Sequence, residues 1–326
     1  MSEHETNPNV SRRDFVKTTA LGVGGLGATT VAGMGAPEAA AAQERPATAG
    51  AGAHEKIVIT LSPSGRSALP GSPQTDTRDT RAHAAAALEG INTGAAIVHV
   101  RGGNIPGGDG PNLDSWRELT EAIRSKSNAI INYGSSAMSP PERKTLIALK
   151  PDAGSVLVGH HFGGTPMSFE NQEQYIVDHL AAGVLPEIEL FHSGDVANLN
   201  RLIGTGLLRP PYCVTVFLNY NAYYAVPPIV QQLEAMLVLL PPGTHWTLNV
   251  KGEKHFDMAA YAISRGGHVR TGLENNVMIA GRPAKSNAEC VERLVQLARS
   301  MGREIASPAE ARHALGLPRK PEIVKA

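Results

Sequence analysis

The sequence predicts a single-domain α/β protein, a (β/α)8 TIM barrel. Three observations support this prediction. Short aliphatic or β-branched runs alternate with helical stretches from residue 56 onward, eight such pairs can be counted, and they fit within about 250 residues. A doubly wound open sheet is the alternative, but it often carries a glycine-rich dinucleotide fingerprint after its first strand. The segment Ser-Pro-Ser-Gly-Arg at residues 62–66 is not such a fingerprint.

The apolar runs and the helical periodicity place the individual elements. We expect strands at residues 56–61, 95–101, 129–133, 155–159, 185–191, 212–218, 245–251 and 267–272. We expect helices within residues 80–89, 113–125, 140–149, 171–182, 228–239 and 286–301. Ser139 before two prolines, and Ser286 with Glu289, are helix-start signals. A final capped helix is expected at residues 307–317, packed outside the barrel.

The amino-terminal 42 residues are interpreted as a twin-arginine signal peptide. Arg12 and Arg13 stand shortly before Phe15, a glycine-broken apolar stretch follows at about residues 18–32, and three alanines at 40–42 form a small-residue cleavage site. A disordered Ala/Gly-rich tail with two chance arginines is the alternative. It leaves the phenylalanine and the cleavage site unexplained.

The signal peptide implies export by the twin-arginine machinery, which carries folded proteins. The mature protein is therefore expected to be periplasmic or extracellular. A linker is expected at residues 43–55, followed at 56–326 by the barrel with a carboxyl-terminal helical extension.

The composition argues against several classes of partner. The chain has 30 Lys and Arg against 30 Asp and Glu, and no basic block, so no electrostatic footprint for nucleic acid or acidic membrane is present. No run past the amino terminus approaches the roughly 20 apolar residues of a membrane span. Cys213 and Cys290 are too distant in sequence for a disulfide framework or a C-x-x-C site. A small-molecule partner is expected.

Strands 2 and 8 carry charged residues where a barrel forms its active site, at the carboxyl ends of the strands. Because side chains alternate along a strand, Ile97, His99 and Arg101 point to one side, and an inward side would place His99 and Arg101 in the pocket. Arg270 and Glu274 also share one parity. Buried charges are costly unless paired or used, so both are candidate site residues. A structural ion pair between strands 8 and 1 is the alternative.

Strand 5 places Glu187 and Glu189 on one face. An inward Glu189 near Arg270 would be an acid/base group held by a guanidinium. An outward pair would be solvated beneath a helix, but the strands of a parallel barrel are covered on both sides. His192, directly after this strand, belongs to the same set of acid/base candidates as the two glutamates.

Strand 4 is followed by adjacent histidines, His160 and His161. Neighbouring residues on an extended chain point apart, so at most one is expected to be a metal ligand, and the other is an exposed loop histidine. His255, after strand 7, is a further candidate at the barrel mouth.

With these residues the chain resembles the beta-keto acid cleavage enzyme family, that of the 3-keto-5-aminohexanoate cleavage enzymes, from about residue 56 to 317. The resemblance rests on Gly-Gly-His-Val-Arg-Thr-Gly-Leu-Glu-Asn-Asn at 266–276, Pro-Glu-Ile-Glu at 186–189, Ser-Asn-Ala-Glu at 286–289 and Ser-Pro-Ala-Glu-Ala-Arg at 307–312. It implies a zinc-dependent barrel, usually a homotetramer. Such enzymes condense a beta-keto acid with acetyl-CoA and yield acetoacetate and a new acyl-CoA.

The resemblance also implies a zinc site. The family holds zinc by two histidines of an H-x-H-V-R segment and by the glutamate of a G-[LF]-E-D segment. Aligned on the Val-Arg pair, His99 matches the second histidine, Arg101 the arginine and Glu274 the glutamate, while Ile97 stands at the first histidine. Isoleucine has no lone pair, and a catalytic zinc needs about three protein ligands.

Further residues are carried over from the family by position. Arg270 matches a strand 8 arginine, and Ser135 or Ser136 falls where the family has a substrate-binding serine. Asn275 replaces an aspartate that is a proposed acid/base group, and an amide keeps hydrogen bonding but cannot act as a base.

Three functions are compatible with this pattern. The first is a C–C bond-cleaving or acyl-transferring enzyme acting on a beta-keto acid or related carboxylate, with a divalent metal, Zn²⁺ by resemblance, held by His99, Glu274 and a third ligand such as His160 or His161. The second is a metal-free relative using the Arg101 and Arg270 guanidinium groups, in which Ile97→His should raise metal affinity. The third is a periplasmic carboxylate-binding protein. Since acetyl-CoA is cytoplasmic, an exported enzyme would lack this co-substrate.

Overall fold

The computed structural model describes residues 55–63, 71, 73, 79–104, 110–161, 164–220, 226–275, 277–318 and 320. The signal peptide predicted at residues 1–42 lies outside these residues, as does all but the last residue of the predicted linker. Eight parallel strands form a closed barrel in chain order, each paired with the next and β8 paired with β1. The predicted barrel fold is confirmed.

The elements alternate as a (β/α)8 barrel requires. The barrel strands are β1 Ile59–Leu61, β2 Ile97–Val100, β3 Ile130–Tyr133, β4 Ala153–Leu157, β5 Leu185–Leu190, β6 Tyr212–Leu218, β7 Thr244–Val250 and β8 His268–Thr271. The helices are α1 Thr80–Thr93, α2 Leu113–Arg124, α3 Pro140–Ile147, α4 Phe169–Ala182, α5 Ser193–Gly204, α6 Val230–Leu237, α7 His255–Ser264, α8 Asn287–Ser300 and α9 Pro308–Ala314. A 3₁₀ turn, Leu273–Asn275, and a small hairpin, β9 Met278–Ile279 with β10 Arg282–Pro283, follow β8.

Strand β4 lies two residues earlier than the sequence predicts. It ends at Leu157, because Gly159 takes a φ of +86°, outside the extended region and open mainly to glycine. The chain turns there towards the histidines that follow. The two histidines therefore belong to a loop at the barrel mouth.

Helices α5 and α7 lie outside the predicted set. The first contains glycines and asparagines, which are poor helix formers, and its apolar positions are few. Val196, Leu199 and Leu202 nevertheless form one buried face against the barrel. Packing therefore stabilises this helix where local propensity does not.

Two apolar layers hold the barrel. Outward strand residues such as Val98 and Val100 pack with the surrounding helices in the main core. A separate cluster at the amino ends of the strands contains Ile97 and Ile130, packed with Ala311 and Leu315 from α9 and the turn after it. The last helix therefore closes the base of the barrel, and Ile97 belongs to this base.

The predicted helix-start signals are formed, with one difference. Glu142 reaches back to the Ser139 backbone N–H at 2.7 Å, which completes the capping box of α3. The Ser286 hydroxyl accepts from the Glu289 N–H at 3.0 Å. The Glu289 carboxylate, however, binds the Lys285 N–H at 2.6 Å and the Arg282 guanidinium, so the reciprocal half of that box is replaced by an ion pair.

Both cysteines lie among the described residues. Cys213 in β6 is half-buried, Cys290 in α8 is buried, and both are free thiols. Among the described helices, none combines the length and the apolar character that crossing a bilayer requires.

Candidate active site

The charged residues predicted on strands 2, 5 and 8 are buried together inside the barrel. His99 and Arg270 are fully buried, Glu189 is 3% exposed and Glu274 is 7% exposed. His99 and Arg101 therefore point to the inward side of β2, which is one of the two orientations that side-chain alternation along the strand allows.

Glu274 is clamped between two guanidinium groups. Arg101 Nε donates to its Oε1 at 3.1 Å, and Arg270 Nη2 donates to its Oε2 at 3.0 Å. Burial alone would raise the pKa of Glu274, but Arg101 and Arg270 outweigh it and lower the pKa to about 2. The group is therefore a carboxylate at neutral pH, and the three side chains carry one net positive charge.

Arg270 also joins strand 8 to strand 1. Its Nε donates to the hydroxyl of Ser62, directly after β1. This hydrogen bond gives Arg270 a structural role, because it links β8 to the end of β1. Arg270 Nη1, in contrast, has no hydrogen-bond partner within the described part of the chain. One donor of a structurally fixed cation remains available for a ligand.

The two glutamates of β5 have different environments. Glu187 accepts hydrogen bonds from Asn132 Nδ2 at 2.6 Å, Ser155 Oγ at 3.2 Å and the Thr215 hydroxyl. Burial, with a further contribution from the charge of Glu187, raises the pKa of Glu189 to about 7, against the opposing effect of the arginines. A pKa near 7 suits a group that exchanges protons at neutral pH.

The serines after β3 lie in the same interior. Ser135 and Ser136 are 1% and 2% exposed. A hydrogen bond from Ser136 helps to stabilise the ionised form of Glu189. Ser135 Oγ has no geometrically satisfactory partner among the described residues.

Several other buried polar groups near Arg270 are unsatisfied in the described residues. Both ring nitrogens of His99 lack a hydrogen bond, and so do the amide atoms of Asn249 and Asn275. Burial, followed by the charge of Arg270, lowers the pKa of His99 well below its ordinary value, so the imidazole is neutral. Buried polar groups are normally paired, and a cluster of unpaired ones indicates a polar ligand.

The described residues do not bring His99 and Glu274 together with a third ligand from the loop histidines, His160 and His161. Among the described residues, two groups of three donors lie with their atoms within 4.8 Å of one another, and neither contains His99 or Glu274. His160 belongs to a group with His192 and Asp195. Two of the predicted donors are thus in the pocket and His160 is in a different cluster.

The donors of the pocket do not fit a zinc ion of the family type. His99 can offer a lone pair, but both oxygens of Glu274 are bound by guanidinium groups, and Ile97 lies in the base cluster. The residue on β2 that reaches Glu274 is Arg101. Position 97, which aligns with the family's first zinc histidine, is occupied by an isoleucine that packs in the apolar base cluster and offers no lone pair.

The second three-donor group consists of Glu55, His245 and His268 at the amino ends of the strands. The two imidazoles stack with ring centroids 3.8 Å apart. The Val58 N–H donates to His268 Nδ1 at 3.0 Å, so the proton of the neutral ring lies on Nε2. Glu55, the one carboxylate of this group, is exposed, and the two stacked imidazoles are explained as structural packing.

Some residues around the pocket were missed or misjudged from sequence. Asn249 was missed, although its place on the predicted strand β7 was an accessible signal; its pairing with Arg270 is seen only in the structure. Tyr220, whose hydroxyl lies 3.5 Å from Glu274 Oε1, follows β6 and carried no motif. His255, a candidate at the mouth, is buried at the start of α7 with Nδ1 2.8 Å from the Val250 carbonyl, and it stabilises the turn.

The comparisons with known proteins agree with this geometry. The model of the beta-keto acid cleavage enzyme family matches residues 56–317. A 3-keto-5-aminohexanoate cleavage enzyme of Fusobacterium nucleatum subsp. nucleatum is 34% identical over 81% of this chain and 98% of its own length. The enzyme of the same name from Acetoanaerobium sticklandii is 32% identical over 81% and 99%. A 3-oxoadipate:acetyl-CoA acetyltransferase of Cupriavidus necator is 28% identical over 70% and 83%.

Solved structures add the fold alone. The apo structure of ObcA matches with a TM-score of 0.61 at 16% identity, covering 74% of this chain and 65% of the ObcA chain.

Proposed function

Because the chain belongs to the beta-keto acid cleavage enzyme family, we propose that its barrel interior cleaves a beta-keto acid with two guanidinium groups in the role of a metal ion. The chain is an acyl-transferring and C–C bond-cleaving enzyme of that family. The observation that carries the metal-free proposal is the incomplete ligand set, since Ile97 stands at the family's first zinc histidine and both oxygens of Glu274 are already held. Arg101 and Arg270 occupy both carboxylate oxygens, and Arg270 Nη1 still has a donor to offer.

Arg270 binds the anionic substrate in this proposal. A fixed cation in a buried site stabilises an oxyanion without reorganising, and this effect is large where water is excluded. Its position is set by Ser62 and Glu274, so it does not need to move when charge develops. The neutral His99 imidazole and the Asn249 amide supply further hydrogen bonds to the substrate oxygens.

Glu189 is the proposed base. It takes the proton from the carbon between the carboxylate and the ketone, and the resulting enolate oxygen is held by the guanidinium groups. The enolate carbon then attacks the thioester carbonyl of acetyl-CoA and expels the CoA thiolate. The thiolate attacks the original ketone carbon, the bond between that carbon and the acylated carbon breaks, and Glu189 returns its proton to give acetoacetate and a new acyl-CoA. A base must be ionised to act, and a pKa of about 7 leaves Glu189 about half ionised at neutral pH.

A direct assay tests the activity. We expect the purified protein to convert a 3-oxo acid in the presence of acetyl-CoA into acetoacetate, measured by mass spectrometry over a series of chain lengths. Arg270→Lys keeps the charge but loses the planar fork, so turnover should fall in this variant. Tight binding of the 3-oxo acids with no product from any of them would instead indicate a carboxylate-binding protein.

Export by the twin-arginine machinery is a further part of the proposal. Its support is the Arg12-Arg13 pair with its apolar stretch and cleavage site. An exported enzyme would need an acyl acceptor other than acetyl-CoA, and by resemblance it would be a homotetramer. Fractionation of cells producing the full chain should place a shortened protein outside the cytoplasm. Replacing both arginines by lysine should retain it inside, and an unchanged distribution would refute this route.

A further inference from the structure

Three potential metal ligands converge where β4 and β5 reach the barrel mouth. His160 follows β4, His192 follows β5, and Asp195 lies in the first turn of α5. We propose that these residues bind one divalent transition-metal ion, at a site separate from the keto acid pocket.

The distances favour coordination over direct hydrogen bonds. Asp195 Oδ1 lies 3.4 Å from His160 Nδ1 and 3.5 Å from His192 Nε2. A charge-assisted hydrogen bond between such groups is normally about 2.7–2.9 Å long. A tetrahedral ion with bonds of about 2.0–2.2 Å holds its ligand atoms about 3.3–3.5 Å apart. The two distances to Asp195 match the edges of such a site, and all three donor atoms lie within 4.8 Å of one another.

The carboxylate of Asp195 is already oriented for this role. Asp195 is fully buried, and its Oδ2 accepts the N–H groups of Phe191 at 2.8 Å and His192 at 3.2 Å. Its Oδ1 makes no hydrogen bond to any residue that the structure describes. Leaving a buried charged oxygen without a partner is costly. A bound cation would remove this cost, and the bonds to Oδ2 would hold the ligand as outer-sphere contacts do.

A glycine lets the two segments approach. A Cβ added at Gly159 would lie 3.2 Å from Asp195 Oδ1 and 2.6 Å from Asn198 Nδ2. A side chain at this position would therefore push the Asp195 carboxylate and the Asn198 amide aside. The glycine, also required by its φ of +86°, keeps His160 close to the carboxylate.

The ligand set indicates the type of ion. Two imidazoles and one carboxylate suit Zn²⁺, Co²⁺ or Ni²⁺ better than Mg²⁺ or Ca²⁺, which prefer oxygen ligands. The His192 side chain is 44% exposed, which leaves access for a water molecule as the fourth ligand.

An aromatic layer separates this site from the keto acid pocket. Phe191 lies edge-on to His160, with centroids 5.7 Å apart, and stacks on Phe217 at 4.7 Å. The guanidinium carbon of Arg270 lies 5.5 Å from the centroid of the Phe217 ring. A metal at His160 would therefore fix the mouth segments of β4 and β5 and would not contact the arginines.

Metal titration of the full-length protein tests the site. The protein is treated with a chelator, dialysed and titrated with Co²⁺, with visible absorption reporting tetrahedral coordination and elemental analysis reporting bound Zn²⁺. We expect one equivalent of metal. Loss of an outer-sphere partner typically weakens metal binding 10–100-fold, so His192→Ala, which removes a direct ligand, should weaken it by at least about 100-fold.

The control variants make the result specific. His161→Ala, one residue along the same loop, should bind metal like the parent protein, and so should His99→Ala in the keto acid pocket. The proposal is overturned if the parent binds no Co²⁺ or Zn²⁺, if His192→Ala retains its affinity, or if His99→Ala loses the ion. Asp195→Asn should also lose the metal. Because Asp195 also accepts two backbone N–H groups, circular dichroism must show that this variant is folded, and His192→Ala decides if it is not.

Discussion

Glu189→Gln should reduce kcat/KM for a 3-oxo acid by about 10²–10⁴-fold, the usual contribution of a positioned general base. The amide is nearly the same size but cannot accept the proton. In the parent protein, kcat/KM should rise with pH through about 7, because burial raises the pKa of Glu189 to that value and only the ionised form is active. In the variant this rise should disappear. Initial rates between pH 5 and 9 provide the measurement.

Glu187→Gln is the matched control for this prediction. Glu187 lies two residues earlier on the same inward face, and its charge is the second cause, after burial, of the raised pKa of Glu189. Removing that charge should lower the pKa of Glu189, so the rise of kcat/KM should move to lower pH but persist. If Glu189→Gln keeps the rise near pH 7 and an unchanged rate, Glu189 is not the base.

The barrel could be predicted because its signals are local and repeated. Each strand is a short run rich in aliphatic or β-branched residues, and parity alone placed His99 with Arg101 and Arg270 with Glu274. Helix α5 could not be found in the same way, since its few apolar residues become a buried face only when packed against strands from elsewhere in the chain.

The site was only partly accessible to sequence reasoning. The buried cluster of arginines and glutamates followed from alternation and the cost of buried charge. The depth of each residue did not, because parity distinguishes the two faces of a strand but not the layers within the barrel. Ile97 and His99 share a face, yet the first packs with α9 at the base and the second lies in the pocket. The pairing of His160 with His192 and Asp195 depends on the missed helix α5.

Position 101 is the one at which a second pocket histidine could create a zinc site. An added Cβ at Gly134 would lie 2.5 Å from His99 Nε2 and 2.9 Å from Arg101 Cγ, so both side chains pass the same point. Arg101 Nε holds Glu274 Oε1, whereas Arg270 holds Oε2. Replacing Arg101 by histidine would therefore free one carboxylate oxygen and add one imidazole nitrogen.

Arg101→His should consequently gain zinc binding. His99, Glu274 and the new histidine would then provide three protein ligands, whereas the parent protein offers only the first two. The substitution is best made in the His192→Ala background, so that only the new site binds metal. We expect an increase in zinc affinity of at least about 100-fold by competition with a chromophoric chelator, given that even an outer-sphere contact contributes 10–100-fold. Turnover should fall in the metal-free variant, because one of the two guanidinium groups is lost.

Ile97→His in the same background is the control. Its side chain would enter the apolar base beside Ile130, Ala311 and Leu315, and we expect no zinc to be gained. The opposite pattern, with zinc bound by Ile97→His and not by Arg101→His, would mean that the metal position of the family lies deeper in the barrel. The guanidinium of Arg101 would then not take the place of the metal ion. Zinc in Arg101→His alone would instead support the proposal that the Arg101 guanidinium takes the place of a metal ion in this pocket.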